Sequence, residues 1–144
     1  KAAGDDENMK FTGDTGIYKV TIDATSEIKS LTAVASPIFG YDFAEVYLVG
    51  NVGGNGWDAA NALTMTKVST GVYEFVTTLV ADTEFKIIGQ KSWGSLEWGN
   101  ISSTGNSGFL APKGDNGNIK FVGDGSSYKI TVNLKGGIYT IKKQ

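Results

Sequence analysis

The sequence predicts an all-β protein, an antiparallel β-sandwich of about seven short strands. The 144 residues include 20 glycines and only 2 prolines, with many Thr, Val and Tyr, which suits strands joined by tight turns. Apolar and polar side chains alternate over residues 128–134, as they do in a half-buried strand. No stretch of the sequence has helical periodicity over more than one or two turns.

Each predicted strand is a short run of β-branched and aromatic residues that ends at a turn rich in Gly, Asn or Ser. Within residues 84–88, for example, Phe85 and Ile87 should point inward and Lys86 outward. Residues 89–117 have no such pattern and are predicted to form a long irregular segment. The predicted strands are residues 45–49, 62–66, 72–79, 84–88, 119–122, 128–134 and 138–141.

An internal repeat indicates how the chain is organised. Residues 4–23 align without a gap with residues 114–133, and ten of these twenty positions are identical. A fixed offset of 110 residues is the size of a small β-sandwich and predicts tandem modules. Residues 1–38 are then the tail of a preceding module plus a linker, and residues 39–144 are a complete module. In the alternative, both copies are strands of one domain.

Composition and charge argue against several function classes. The net charge is −2 and there is no basic run, so we expect no nucleic-acid partner. Cysteine and histidine are both absent, which removes the thiolate nucleophile and the commonest general base. No apolar run is long enough to form a transmembrane segment. Candidate carboxylates lie in no recognisable catalytic motif, so no catalytic residue is predicted; they are Asp58, Glu74, Glu84, Glu97 and Asp115.

Two acidic segments contain candidate calcium ligands. Residues 5–7 and residues 115–117 contain oxygen-bearing side chains, but their spacing does not fit an EF-hand loop. Asp, Asn and Gly in this arrangement are typical of tight turns. We therefore predict no metal and no cofactor.

The three tryptophans all fall in predicted loops, which makes them candidates for a binding surface. A tryptophan in a glycine-rich loop needs burial or a partner because of its large apolar area. A pyranose ring can lay its flat C–H face on an indole, while a lysine bonds the hydroxyl groups. We predict one carbohydrate-binding face; the alternative is core tryptophans and solvated lysines, and Trp57 would also suit a core cap. The predicted face consists of Trp57, Lys86, Trp93, Trp98 and Lys113.

Several short segments occur in an order that resembles the modules of SusE and SusF, the starch-binding outer-membrane lipoproteins of Bacteroidetes. The segments are Val46–Gly50, Gly56–Asp58, Met65–Thr66, Gly71–Phe75, Glu84–Ile87 and Trp98–Gly99. The resemblance covers residues 44–144 as one module and implies an Ig-like sandwich that binds carbohydrate without catalysis. It also implies a lipid anchor, upstream of this chain, at the cell outer membrane.

The resemblance further implies how a sugar is held. A maltooligosaccharide would lie on an arc of two aromatic rings, with one or two basic side chains at its hydroxyl groups. Trp57 would be the first aromatic and Trp98, or else Trp93, the second; Lys86 and Lys113 would be the basic residues. The partners would be an α-glucan or another polysaccharide and other proteins of an outer-membrane glycan-uptake complex. The alternative is a spacer or protein-docking module that binds no glycan.

Overall fold

The structure is a computed structural model, and it describes residues 12–13, 18–25, 27–28, 30–35, 42–101, 105–114 and 116–144. The chain forms two compact units, Lys1–Ser36 and Pro37–Gln144. Every strand pairing in the described residues is antiparallel. The predicted all-β, antiparallel fold class is therefore confirmed. Residues 36–38, at the end of the predicted tail and linker, and the acidic residues 5–7 and 115 lie outside the described residues.

The first unit contains a hairpin of two strands, β1 (Tyr18–Asp23) and β2 (Ser30–Ala35). The strands pair over six positions, from Tyr18 opposite Ala35 to Asp23 opposite Ser30. Asp23 begins the turn, because its Oδ1 accepts hydrogen bonds of 2.9 Å from both the backbone N–H and the hydroxyl of Thr25.

The described residues of the second unit form ten strands and one short 3₁₀ helix over Ala59–Asn61. The strands are β3 (Tyr47–Gly50), β4 (Leu63–Thr64), β5 (Thr66–Ser69), β6 (Val72–Thr78), β7 (Thr83–Ile88), β8 (Glu97–Asn100), β9 (Ser107–Pro112), β10 (Ile119–Phe121), β11 (Ser127–Asn133) and β12 (Ile138–Lys143).

These strands form two layers joined through β9. The layer that we call the front sheet has the order β4-β3-β7-β8, with β10 also paired to β7. The back sheet has the order β12-β11-β6-β5. The first half of β9 pairs with β12 and its second half, residues 110–112, pairs with β8. Gly108 allows the first half to lie close to the core, since a Cβ there would be 2.7 Å from the Tyr139 hydroxyl oxygen.

The core is one cluster of apolar side chains from both sheets. Phe85 and Ile87 of β7 are fully buried, as their alternation predicted, and Tyr73, Ile130 and Val132 are fully buried on the back sheet. Burying one such side chain stabilises the fold by about 1.5–3 kcal/mol. A second, smaller cluster lies on the other face of the front sheet, where it consists of Tyr47, Val49, Ala59, Ala62 and Ile88.

The prediction that residues 89–117 are irregular was wrong, since they contain β8 and β9. All four residues of β8 are buried, so this strand has no alternation to detect. Strand β9 contains Gly108 and ends at Pro112, two residue types that are uncommon in strands. The single strand predicted over 62–66 is two strands that meet at Met65, whose N–H donates to the Val46 carbonyl over 2.8 Å.

The two copies of the sequence repeat form hairpins with matching registers. Strand β11 pairs with β12 over six positions, and Tyr128, the repeat equivalent of Tyr18, lies at the same end of its hairpin. The faces of the two hairpins differ in burial. Ile130 and Val132 are 0% exposed, whereas their equivalents Val20 and Ile22 are 58% and 70% exposed.

Candidate functional site

The loop after β3 places Trp57 at the surface of the front sheet. The loop closes where the Gly50 N–H donates to the Gly56 carbonyl over 2.8 Å. Gly50 has a φ of 141°, and a Cβ there would lie 2.2 Å from the Glu84 carbonyl oxygen, so this position requires glycine. Gly50 therefore allows the loop that carries Trp57 to begin close against β7.

Asp58 fixes the chain immediately after Trp57. Its Oδ1 accepts a 3.0 Å hydrogen bond from the Ala60 N–H and its Oδ2 accepts a 2.7 Å bond from the Asn61 side chain. These bonds lower the pKa of Asp58, with the Asn61 side chain as the largest cause. The capped 3₁₀ helix then packs Ala59 against the front sheet.

Trp57 and Trp93 form an aromatic pair, although they come from different loops. Their ring centroids are 6.5 Å apart and their planes are inclined by 27°, an offset-stacked arrangement. Trp57 is 42% exposed and Trp93 is 46% exposed. Both rings therefore keep open surface that a ligand can contact.

Lys86 projects from the centre of β7 on the face that also carries Ile88. Its Nζ donates to Glu97 Oε1 over 2.5 Å and to Asn116 Oδ1 over 3.0 Å. The Lys86 side chain is 18% exposed and the Glu97 side chain 6%. An ammonium group has three N–H donors, and these two bonds use two of them.

The backbone near Asn116 is held against β8 by a short bridge. Asn100 and Gly117 exchange two hydrogen bonds, of 2.9 and 2.8 Å. Gly99 makes this approach possible, because a Cβ there would lie 2.1 Å from the Gly117 carbonyl oxygen and 3.1 Å from the Asn116 Cβ. The position of Asn116 beside Lys86 thus depends on a glycine in the middle of a buried strand.

A tyrosine and a second lysine complete this face. Lys91 Nζ lies 5.3 Å from the centroid of the Tyr47 ring, a cation–π contact. The Tyr47 hydroxyl donates to Glu45 Oε2 over 2.5 Å, and this bond to a carboxylate raises the pKa of Tyr47. Tyr47 shares the small apolar cluster with Ile88, so both belong to the layer beneath the loops.

Trp98 lies elsewhere, in the core. It is 0% exposed and packs edge to face on Phe43, with ring centroids 5.4 Å apart. The prediction that Trp98 contacts the sugar is therefore corrected, because a side chain without exposed surface cannot stack on a sugar. Trp93 is the second tryptophan that stays at the surface with Trp57.

Residues 42–143 match the protein family described as "SusF, first starch specific CBM". The chain belongs to this family. The predicted resemblance to SusE/SusF-type modules is thereby confirmed, and the matched residues form a carbohydrate-binding module of the SusF type.

The fold of the SusF-type module also agrees with a solved structure. The crystal structure of SusF from Bacteroides thetaiotaomicron matches with a TM-score of 0.56 and 18% sequence identity, covering 80% of this chain. The matched part is 27% of the SusF chain, so the present chain spans about a quarter of that protein. No curated protein sequence matches the chain.

Within the SusF-type module, sequence reasoning found some of the surface residues and missed others. Trp57 and Trp93 contact each other, and Lys86 lies on the same sheet, while Lys113 is exposed after β9 with its N–H bonded to the Glu97 carbonyl over 3.0 Å. The sequence placed Glu97 only among candidate catalytic carboxylates and Asn116 only in an acidic turn segment, and it predicted neither as a partner of Lys86. Nothing in the sequence around either residue indicates a contact with Lys86.

Two further observations concern the described part of the module. No group of three His, Cys, Asp or Glu side chains there could hold a metal ion. None of the helices found in the described ranges is long and apolar enough to cross a membrane.

Proposed function

We propose that the second unit binds α-glucan chains, either starch or maltooligosaccharides, at a surface formed by Trp57, Trp93 and Lys86, which we call the tryptophan face. The observation that carries this proposal is the exposed Trp57–Trp93 pair in a module of a starch-specific family. The ring planes are inclined by 27°, which suits a curved chain of α-linked glucose better than a flat ribbon of β-linked glucose.

The chemistry of each residue follows from its geometry. The indole faces would take the C–H surfaces of successive pyranose rings and exclude water from them. Lys86 would donate its remaining N–H to a sugar hydroxyl, since the other two are held by Glu97 and Asn116. Lys113 would act as a second basic contact at the rim, where its side chain is exposed.

We also propose that the module is not catalytic. Three of the carboxylates considered above are each engaged by a lysine: Glu74 by Lys129, Glu84 by Lys120 and Glu97 by Lys86. A carboxylate held in this way is oriented towards the protein, which supports a structural role. Glucan binding without turnover is what a module of a glycan-uptake protein requires.

The decisive experiment is a titration with maltoheptaose, followed by calorimetry and tryptophan fluorescence. We expect binding in the micromolar to millimolar range (on the order of −4 to −8 kcal/mol) and a change in fluorescence, because two exposed indoles would be covered. Cellohexaose should give no response at the same concentration. Absence of heat and of a fluorescence change at millimolar maltoheptaose would disprove the proposal.

The cellular setting is part of the proposal. We infer that this module belongs to a surface lipoprotein of an outer-membrane glycan-uptake complex and that residues 1–38 are the tail of a preceding similar module. The matching registers of the two hairpins support the second point. So does the exposure of Val20 and Ile22, whose equivalents lie in the core of the second unit.

A second candidate function, protein docking without glycan binding, is favoured by a group of exposed apolar side chains at and near β9. Phe109 and Ile101 are 63% and 59% exposed, and the Ile101 N–H donates to the Phe109 carbonyl. Ile138 lies directly opposite Phe109 on the neighbouring strand and is also partly exposed. None of these three residues belongs to the tryptophan face as defined above, so the titration distinguishes the two functions.

A further inference from the structure

We propose that Glu97 is a positioning residue, which holds the Lys86 ammonium group in the orientation that binds a sugar hydroxyl. The proposal rests on the proposed function, because it concerns the same tryptophan face. It adds a residue of opposite charge that would not contact the glucan itself.

The first argument is the burial of the carboxylate. Glu97 lies on β8, where all four residues are buried, and its side chain is only 6% exposed. A buried carboxylate is costly unless a cation and hydrogen bonds compensate it. Lys86 Nζ at 2.5 Å from Glu97 Oε1 supplies the cation, which means that the two side chains must be ordered together.

The second argument is the geometry around the ammonium group. Asn116 Oδ1 accepts a second bond from Lys86 at 3.0 Å, and the Asn116 amide nitrogen lies 3.5 Å from Glu97 Oε1. The three groups therefore form a closed arrangement beside β7. Two N–H groups of Lys86 point at fixed acceptors, so the direction of the third is fixed as well.

The third argument concerns the cost of binding. A lysine side chain has four rotatable bonds in its stem, and ordering it during binding lowers the affinity. Glu97 and Asn116 order Lys86 before the glucan arrives. Glu97 also balances the charge of Lys86, so the pair offers a hydrogen-bond donor without net charge, which fits a neutral glycan.

The test uses the full chain and four variants: Glu97→Gln, Glu97→Asp, Lys86→Met and the double variant Glu97→Gln/Lys86→Met. We expect Glu97→Gln to weaken maltoheptaose binding about five- to tenfold, the loss of roughly one oriented hydrogen bond. Glu97→Asp, which keeps the charge but withdraws it from Nζ, should give a smaller loss. The double variant should bind no more weakly than Lys86→Met alone, because Glu97 acts through Lys86.

A spectroscopic readout separates positioning from stability. The Lys86 side-chain ammonium should give a resolved ¹H–¹⁵N signal in the wild-type protein, shift when maltoheptaose binds, and broaden beyond detection in Glu97→Gln. The matched control is Glu74→Gln, which breaks the ion pair with Lys129 at 3.1 Å on the back sheet, whereas Lys86 lies on the front sheet. Its glucan affinity and its Lys86 signal should equal those of the wild type.

The outcomes are distinguishable. The proposal is overturned if folded Glu97→Gln binds maltoheptaose as the wild type does. It is also overturned if the affinity loss of the double variant equals the sum, in free energy, of the losses of Glu97→Gln and Lys86→Met. Should Glu97→Gln fail to fold, wild-type affinity in Glu97→Asp overturns it. If Trp93→Ala loses binding while both Glu97 variants keep it, only this inference fails. If the wild-type chain binds no glucan, the proposed function fails and Glu97 has no ligand contact to position.

Discussion

The indole rings of Trp57 and Trp93 lie with their centroids 6.5 Å apart, although one follows β3 and the other follows β7. The two strands are neighbours in the front sheet, with Tyr47 opposite Ile88. Because the two strands are antiparallel, the segments that follow them leave from opposite ends of the pair. The segment after β3 returns along the sheet, where Ala59 and Ala62 pack with Tyr47 and with Ile88 at the end of β7. The contact between Trp57 and Trp93 therefore depends on this returning segment.

Replacing either exposed tryptophan should remove glucan binding and leave the fold intact. We expect Trp57→Ala and Trp93→Ala each to weaken maltoheptaose binding at least tenfold, or about 1.4 kcal/mol, because a stacking surface is lost. Both rings are more than two-fifths exposed, so the free energy of unfolding should change by less than about 1 kcal/mol. Calorimetry and thermal unfolding measure the two quantities.

The matched control for these variants is Phe109→Ala, which removes an aromatic ring of similar exposure from β9, where it pairs with the back sheet. Its glucan affinity should equal that of the wild type. Equal losses of glucan affinity in all three variants, or no loss in the two tryptophan variants, would contradict the proposal that glucan binds at the tryptophan face.

Replacing the buried tryptophan should have the opposite effect. Trp98→Ala is expected to lower the free energy of unfolding by about 3–5 kcal/mol, the usual cost of removing a large aromatic side chain from a core. Trp98 is fully buried and packs against Phe43, so the cavity would be large. Denaturant unfolding measures the change. A Trp98→Ala protein with wild-type stability and no glucan binding would show that Trp98, and not Trp93, is the second aromatic.

The contrast between these tryptophans shows what the sequence could and could not predict. Strands with alternating side chains were found, and the matched positions in β7 and β11 are buried as expected. Strand β8 was missed because both of its faces are covered, so Trp98 resembled a loop residue. Whether a tryptophan is buried or exposed depends on the strand or loop that carries it. Period-two alternation cannot reveal a strand that is buried on both sides.

The partners of Lys86 were unpredictable for a related reason. Its outward direction followed from alternation, but Glu97 and Asn116 reach it from distant segments through the pairing of β7 with β8 and the Asn100–Gly117 bridge. Such contacts depend on strand order, and a single sequence does not contain that information. The sequence therefore predicted individual side chains of the site and not the arrangement around them.

A single methyl group on β8 should disturb the arrangement around Lys86. In Gly99→Ala the new Cβ would lie 2.1 Å from the Gly117 carbonyl oxygen, so the segment with Asn116 must move away. We expect a loss of about 1–3 kcal/mol in the free energy of unfolding, and large amide chemical-shift changes at residues 116–118. Gly117→Ala is the control for stability, because a Cβ there would lie 3.6 Å from the Asn100 carbonyl oxygen, an ordinary contact, and its free energy of unfolding should change by less than about 0.5 kcal/mol. Unchanged shifts in Gly99→Ala would contradict this geometry.

Acid should weaken the fold partly through Asp124. Lys143, at 2.7 Å, is the largest cause that lowers the pKa of Asp124, followed by Ser126 and Tyr128. A carboxyl with a lowered folded-state pKa stabilises the protein above its unfolded pKa, about 3.9 for Asp, and this stabilisation is lost as the pH falls towards the folded value. The melting temperature of Asp124→Asn should therefore fall less steeply than that of the wild type below about pH 4.

Thermal unfolding from pH 2 to pH 7 measures this effect. Lys143→Met removes the largest cause that lowers the pKa of Asp124. Its melting temperature should also fall less steeply in acid than that of the wild type. The change should be smaller than in Asp124→Asn, because Ser126 and Tyr128 still donate to the carboxylate. Parallel curves for the wild type and Asp124→Asn across the whole range would show that this carboxyl contributes nothing to acid sensitivity.

The hairpin of the first unit should respond to the protein upstream of it. In the present chain, Val20→Asn and Ile22→Asn are expected to change the free energy of unfolding of the second unit by less than about 0.5 kcal/mol, because both side chains are mostly exposed.

In a longer protein that includes a preceding module, the same substitutions should destabilise that module by about 2–4 kcal/mol. Their equivalents, Ile130 and Val132, are core residues, and polar groups at such positions are costly when buried. Hydrogen exchange of residues 18–35 in the two lengths of protein measures the difference, and equally fast exchange in both would show that no upstream sheet covers this hairpin.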